Sequence, residues 1–257
     1  FFDTMVLMGG CGSLLCLVIA IFIGCRRRNL RALARVAAVP ALFNINEILM
    51  FGLPIVLNPI MFIPFVAAPM LLTLVSAGAM ALHWVPLACQ EVTWTTPIFL
   101  SGYVATGSIA GSLLQLVNLA LGVAVYLPFV RLAQRYHTQH FTKRVAQLAQ
   151  VVRAGEDMGE EASLQDRGDE LGSVAKTLAA DLRYALKNQE LQLHYQPQVD
   201  AAGRVVGAEG LLRWYHEEAG QIYPPLVIAL AREEGLLEEL GHWVIRQRSE
   251  EHTSELQ

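Results

Sequence analysis

The first half of this chain has almost no charge. Residues 1–130 carry five Lys/Arg and three Asp/Glu, a net of +2, whereas residues 131–257 carry fourteen and twenty, a net of −6. A composition that is 54% hydrophobic and 16% charged, with a mean hydropathy of +0.39, excludes an ordinary soluble domain for the whole chain and places its first part in a membrane. A basic excess is missing too, which argues against a nucleic-acid polymer as partner. No CxxC pair is present. The four cysteines, Cys11, Cys16, Cys25 and Cys89, read as small hydrophobes rather than metal or disulfide partners. No starting Met and no basic region precede the apolar opening at Phe1, so the N-terminus reads as the middle of a longer protein rather than a signal peptide. There is no internal repeat.

Long apolar runs fill the first part. Met5 to Cys25 is long enough for one transmembrane helix, and its glycines permit close helix packing. Arg26, Arg27, Arg28, Arg31 and Arg35 follow, which marks that end as cytoplasmic. Asn29 to Val39 reads as a short amphipathic helix on that face. Ile60 to Trp84 and Ser108 to Val130 are further spanning candidates, and Arg131, Arg135, Lys143 and Arg144 mark the cytoplasm again. Gln90 to Gly102 is more polar and reads as a loop or a cavity-lining element, with breaks at Pro97 and Gly102.

The stretch around which the rest is organised is Phe43 to Pro59, FNINEILMFGLPIVLNP. It sets Asn44, Asn46 and Glu47 in apolar sequence, and from Ile48 to Pro69 no charged residue occurs. A lone carboxylate in hydrocarbon is costly, so Glu47 is expected to face a protein interior or a water-filled cavity. Gly52, Pro54, Pro59 and Pro64 argue against one long regular helix. Broken backbone at membrane depth is tolerated only where it is buried in protein or lines a cavity. The expectation is a re-entrant segment offering amide and carboxylate groups to a polar ligand; the plainer alternative is that Glu47 caps a helix at the interface. If Asn44–Asn58 re-enters without crossing, the runs at 60–84 and 108–130 supply the even number of crossings that two cytoplasmic ends require.

The second part is acidic. Arg131 to Arg153 is a helix-like exit segment, and Gly155 to Gly172 a glycine-punctuated linker. Leu171 to Lys187 has helical periodicity. Leu191 to Asp200 and Arg204 to Trp214 read as two strands joined at Ala201-Ala202-Gly203, and Leu226 to Leu240 as a helix with Glu233, Glu234, Glu238 and Glu239 on its solvated face.

Two resemblances follow from these residues. FFDTMVLMGG, FNINE with FGLPIVLNPIMFIPF, VTWTTP, SGYVATGSIAGSLLQLVN and YLPF resemble, in this order, the lactose/cellobiose type of membrane permease subunit IIC of the sugar phosphotransferase system. The resemblance implies that Glu47 contacts the sugar, with Asn44 and Asn46 supporting it. Where that family usually has proline after NINE, this chain has Ile48, and its earlier helices with the upstream site histidine are not matched here. LRYALKNQELQLHYQPQVD, VVGAEGLLRW and LAREEGLLEELGHWV resemble the beginning of an EAL domain, a cyclic-di-GMP phosphodiesterase module with a TIM-barrel-like fold. This implies Glu209 as a metal ligand for Mg or Mn, and Gln196, Leu211 and Arg213 as contacts to the dinucleotide. A carboxylate suits a hard cation, and an arginine fork suits phosphate. The signature Glu-Ala-Leu stands here as Glu209-Gly210-Leu211. DRGDELGSVAKTLAADL is similar over a short stretch to the second half of a HAMP module, though a plain connecting helix is the expectation. The terminal RSEEHTSELQ, from Arg248, resembles a translated sequencing adapter and is left out of the fold.

The expectation is therefore an all-α polytopic membrane region with a re-entrant segment, followed by a truncated α/β, TIM-barrel-like cytoplasmic region. Its divisions are 1–130 permease, 131–178 helical linker, 179–247 EAL-like and 248–257 artefact. The resemblances imply the bacterial inner membrane as location. They imply as partners the bilayer, a cellobiose-, chitobiose- or lactose-type sugar, the IIA and IIB subunits, cyclic-di-GMP and a second copy in a homodimer. Three functions compete: a permease fused to an EAL domain, incomplete here; a membrane-anchored phosphodiesterase that uses the permease as sensor or anchor; and an inactive membrane fragment.

Overall fold

The computed structural model describes residues 1–53, 55–159 and 163–254, with side chains through Gln247. Pro54, one of the expected breaks, and Glu160 and Glu161 of the linker lie outside the described residues, as do the side chains of the terminal decapeptide. The chain divides into two compact units, Phe1–Tyr136 and His137–Gln257.

The first unit is helical. It holds α1 (Leu14–Gly24), α2 (Arg28–Leu42), α3 (Glu47–Gly52), α4 (Pro59–Ala81), α5 (Leu100–Thr106) and the first part of α6, which runs Ile109–Met158. Among the described residues three stretches are long and apolar enough to cross a membrane: Phe2–Gly24, Pro59–Ala81 and part of Ile109–Met158. The first is not the single regular helix that its composition suggests. A π-helical turn at Phe2–Val6 and a 3-10 turn at Cys11–Ser13 precede α1. Gly9, Gly10 and Gly12 adopt φ of +81°, +85° and +73° between them, which a side chain would oppose. A Cβ at Gly12 would also run into the Phe65 ring. The eleven residues of α1 span roughly 16 Å at 1.5 Å each, about half the hydrocarbon thickness.

Other differences have equally local causes. Pro59 opens α4 at a first-turn position, where its missing N–H costs nothing, and Asn58 caps that start by accepting from Ile60 N–H at 3.0 Å. Pro64, expected as a break, stands inside α4. Gly102, likewise expected as a break, lies inside α5, where it lets the backbones of α5 and α6 approach at Gly111.

The second unit contains the rest of α6, then α7 (Glu170–Lys187), β1 (Leu191–Val199), β2 (Val205–His216), β3 (Gly220–Ile222), α8 (Pro224–Glu233) and α9 (Leu237–Ser254). Asp169 caps α7 by accepting from Gly172 N–H at 3.0 Å. That hydrogen bond, with Arg167 beside it, holds the Asp169 carboxyl below the usual carboxylate range. The three strands form one antiparallel sheet in the order β1-β2-β3. At the β1–β2 turn the Asp200 carboxylate accepts from Ala202 and Arg204 N–H, and Gly203 takes φ +77°. The helix expected over Leu226–Leu240 is two helices, α8 and α9. Gly235 at φ +68° ends the first, with Leu236 N–H reaching back to Ala231 at 2.7 Å. One face of the sheet, through Leu191, Leu193, Leu212 and Trp214, packs on Phe141, Leu148, Leu178, Leu182 and Leu230 of the helices.

Candidate functional site

The first unit's candidate site begins with Asn44, in the left-handed region at φ +63°. Asparagine tolerates that conformation better than most residues. Its side-chain oxygen accepts from Gly9 N–H at 2.8 Å, and its amide donates to the Trp94 carbonyl at 2.6 Å. Asn44 thus ties together three stretches quoted above, FFDTMVLMGG, FNINE and VTWTTP. Asn46 lies against Gly10, where a Cβ would come within 2.6 Å of its amide nitrogen. The backbone of Asn46 starts α3, its carbonyl accepting from Leu49 and Met50. Glu47 is the first residue of this six-residue helix, and its side chain is exposed in this unit. Ile48 occupies a first-turn position whose N–H has no partner within the helix, so isoleucine in place of proline leaves the start of α3 intact. Asn44 thus braces the turn that presents Glu47, with Asn46 packed against Gly10.

A second set of polar groups was not singled out in the sequence. Gln115 and Asn118 are fully buried on α6, as is Tyr126. Gln115 donates to the Thr4 carbonyl at 2.6 Å and to Ser101 Oγ at 2.9 Å, and accepts from Phe99 and Gly102 N–H at 2.8 and 3.1 Å. Asn118 donates to the Met5 carbonyl at 2.9 Å and to Ser76 Oγ at 2.7 Å. The Tyr126 hydroxyl donates to the Gly12 carbonyl at 2.6 Å. Between them Gly122 gives way to Cys16. Positions 115, 118, 122 and 126 share one face of α6 and follow the broken N-terminal stretch. They satisfy backbone carbonyls that an interrupted helix leaves open, which a membrane interior demands. The signal lay in the sequence: three polar residues at helical spacing within an apolar run.

In the second unit the register of β1 and β2 pairs Gln196 with Glu209, His194 with Leu211 and Gln192 with Arg213. Directly paired residues share a face, and residues two apart along a strand do so as well. Gln196, Glu209, Leu211 and Arg213 therefore stand on one face, opposite to that of Leu212 and Trp214. Glu209 is midway along β2 and exposed, with Leu211 and Arg213 partly covered. Among the described residues no group of three or more His, Cys, Asp or Glu is placed to share a metal ion. Glu209 alone does not fit a two-metal hydrolytic site, which needs several carboxylates around ions about 3.5–4 Å apart.

Residues 1–69 match the model of the family described as phosphotransferase system, EIIC, and residues 179–256 match that of the EAL domain. The oligo-beta-mannoside-specific EIIC component of Bacillus subtilis is 42% identical over 125 residues, 48% of this chain and 28% of that protein. The cellobiose-specific EIIC component of Geobacillus stearothermophilus is 47% identical over 131 residues, 50% of this chain and 29% of that one. An uncharacterized signaling protein of Caulobacter vibrioides is 49% identical over 72 residues, 28% of this chain and 9% of that protein. The chain spans less than a third of the length of each of these curated relatives. Among solved structures, the crystal structure of ChbC, the IIC component of the N,N'-diacetylchitobiose-specific phosphotransferase system, aligns with a TM-score of 0.51 and 40% identity. It covers 62% of this chain and 34% of that one.

Proposed function

We propose that this chain, an EIIC-type membrane region of the sugar phosphotransferase system joined to an EAL domain sequence, presents a sugar-binding carboxylate at Glu47 and a cyclic-di-GMP-facing sheet at Gln196, Glu209, Leu211 and Arg213. The observation that carries the first half is the strut arrangement: both polar ends of Asn44 are engaged by backbone, leaving Glu47 as the exposed charged group of the turn. In this reading Asn44–Asn58 re-enters the membrane without crossing it. The substrate is a β-linked disaccharide of the cellobiose or chitobiose kind, supplied with phosphoryl groups by IIA and IIB partners. The interrupted backbone and a carboxylate at membrane depth both suit a polar ligand.

The EAL half is the beginning of a TIM-barrel-like domain, and the shared face of β1 and β2 is where a dinucleotide phosphate meets Arg213. In a complete EAL domain a divalent ion, Mg or Mn, would assist phosphodiester hydrolysis; among the described residues Glu209 has no cluster of carboxylates with which to hold it. The division at 1–130, 131–178, 179–247 and 248–257 follows from this assignment. A second reading, in which the membrane region is a sensor or anchor for the EAL domain, is favoured by α6, which is one helix from Ile109 to Met158.

The test of the sugar site is Glu47→Gln in the transporter that carries this segment. Sugar binding or uptake is expected to vanish while membrane insertion is retained. Normal uptake by the variant would remove Glu47 from the site.

A further inference from the structure

From the second unit we infer that Phe141 and His137 of α6 are positioning residues for the β2 strand that carries Glu209, Leu211 and Arg213. This extends the EAL reading given above, and its test is chosen to stand without it.

The end of β2 is gripped at several points. The Trp214 and Phe141 side chains are buried, and the imidazole of His216 lies between them, with centroids 5.4 Å from each ring. Its Nδ1 accepts from Glu218 and Ala219 N–H at 3.2 Å each, which fixes the turn into β3 and makes Nε2 the donor to Asp181 of α7 at 3.1 Å. The helix α6 closes the grip from the other side. Phe141 stacks on His137 at 6.0 Å, His137 Nε2 is 3.2 Å from the Glu218 carboxylate, and Thr142 Oγ1 donates to the Glu218 carbonyl at 3.2 Å.

His216 and Arg213 are three residues apart on one strand, about 10 Å at the rise of an antiparallel strand. A strand is stiff along its length, and its register against β1 is set from Leu191↔Trp214 onward. A shift of α6 past the turn therefore moves the end of β2 and, with it, the face that bears Arg213.

The experiment is hydrogen exchange on the full chain in lipid nanodiscs, comparing wild type with Phe141→Ala, His137→Ala and the conservative Phe141→Leu. In Phe141→Ala the β2 amides over 207–213 are expected to exchange about tenfold faster or more, because truncating this buried phenylalanine removes its packing as well as its ring contacts. The α7 amides over 175–186, which share the same core, are expected to keep their rates. His137→Ala gives a smaller change in the same peptides, and Phe141→Leu restores most of the protection. Parallel acceleration of α7 and β2 would mean general loosening and overturn the proposal, as would unchanged rates in β2. If the variants show this pattern yet wild type binds no cyclic-di-GMP, the EAL reading fails and the positioning of β2 stands.

Discussion

Replacing Gln115 by leucine removes four hydrogen bonds without opening a cavity, since the two side chains are close in volume. The bonds lost are those to Thr4, Ser101, Phe99 and Gly102. In water-soluble proteins each would contribute about 1 kcal/mol net, and more where a buried group is left alone. Interhelical polar contacts in membranes average about 0.6 kcal/mol, because the unfolded state in the membrane also finds partners. Four such bonds therefore give about 2–4 kcal/mol, a shift of roughly thirty- to a thousandfold in the folding equilibrium. The assay is SDS-driven unfolding of the purified protein in mixed micelles, followed by tryptophan fluorescence. Gln134→Leu is the control, because Gln134 makes one bond to Arg26 N–H at the surface, worth less than about 1 kcal/mol. If Gln115→Leu proves as stable as the control, the polar face of α6 does not hold the broken N-terminal stretch.

The cap of α7 carries a pH dependence. The Asp169 carboxyl is held below its ordinary value of 3.8, first by the Gly172 N–H, so its stabilisation is complete above that value and is lost as pH falls through the depressed one. Amides in the first turn of α7 should therefore lose protection in acid, and Asp169→Asn, which keeps an acceptor oxygen, should flatten that acid limb. The chain of 257 residues is expected not to hydrolyse cyclic-di-GMP with Mg or Mn, since among the described residues no group of carboxylates is placed with Glu209 to share a metal ion. Measured metal-dependent turnover would mean that the described sheet face is not where the ions bind.

Charge and hydropathy were enough to separate the membrane part from the acidic part, because sparse arginine and long apolar runs leave few alternatives. The antiparallel pairing of β1 with β2 was not written in the alternation alone, which gives faces but no partner. Once Asp200 and Gly203 close the turn, the register follows and the four EAL-type residues fall on one face. The interruption before α1 was harder to read. Gly9, Gly10 and Gly12 look like packing glycines in a span until the partners they meet, Asn44, Asn46 and Phe65, are brought next to them by the fold. Gln115, Asn118 and Tyr126 were overlooked for the same reason: a polar residue in a span has meaning only through the carbonyl it meets. Gly235 was the opposite case, a local signal for a helix end that periodicity over Leu226–Leu240 concealed.

The most direct test of the account is the sidedness of the organising segment. In a cysteine-free background, single cysteines at Arg27, Gln90 and Lys143 are exposed to a membrane-impermeant reagent on intact cells. If Asn44–Asn58 re-enters and two crossings follow, Gln90→Cys labels from outside, while Arg27→Cys and Lys143→Cys label only after the cells are opened. Labelling at Lys143→Cys with none at Gln90→Cys would contradict the re-entrant segment and the cytoplasmic EAL region together.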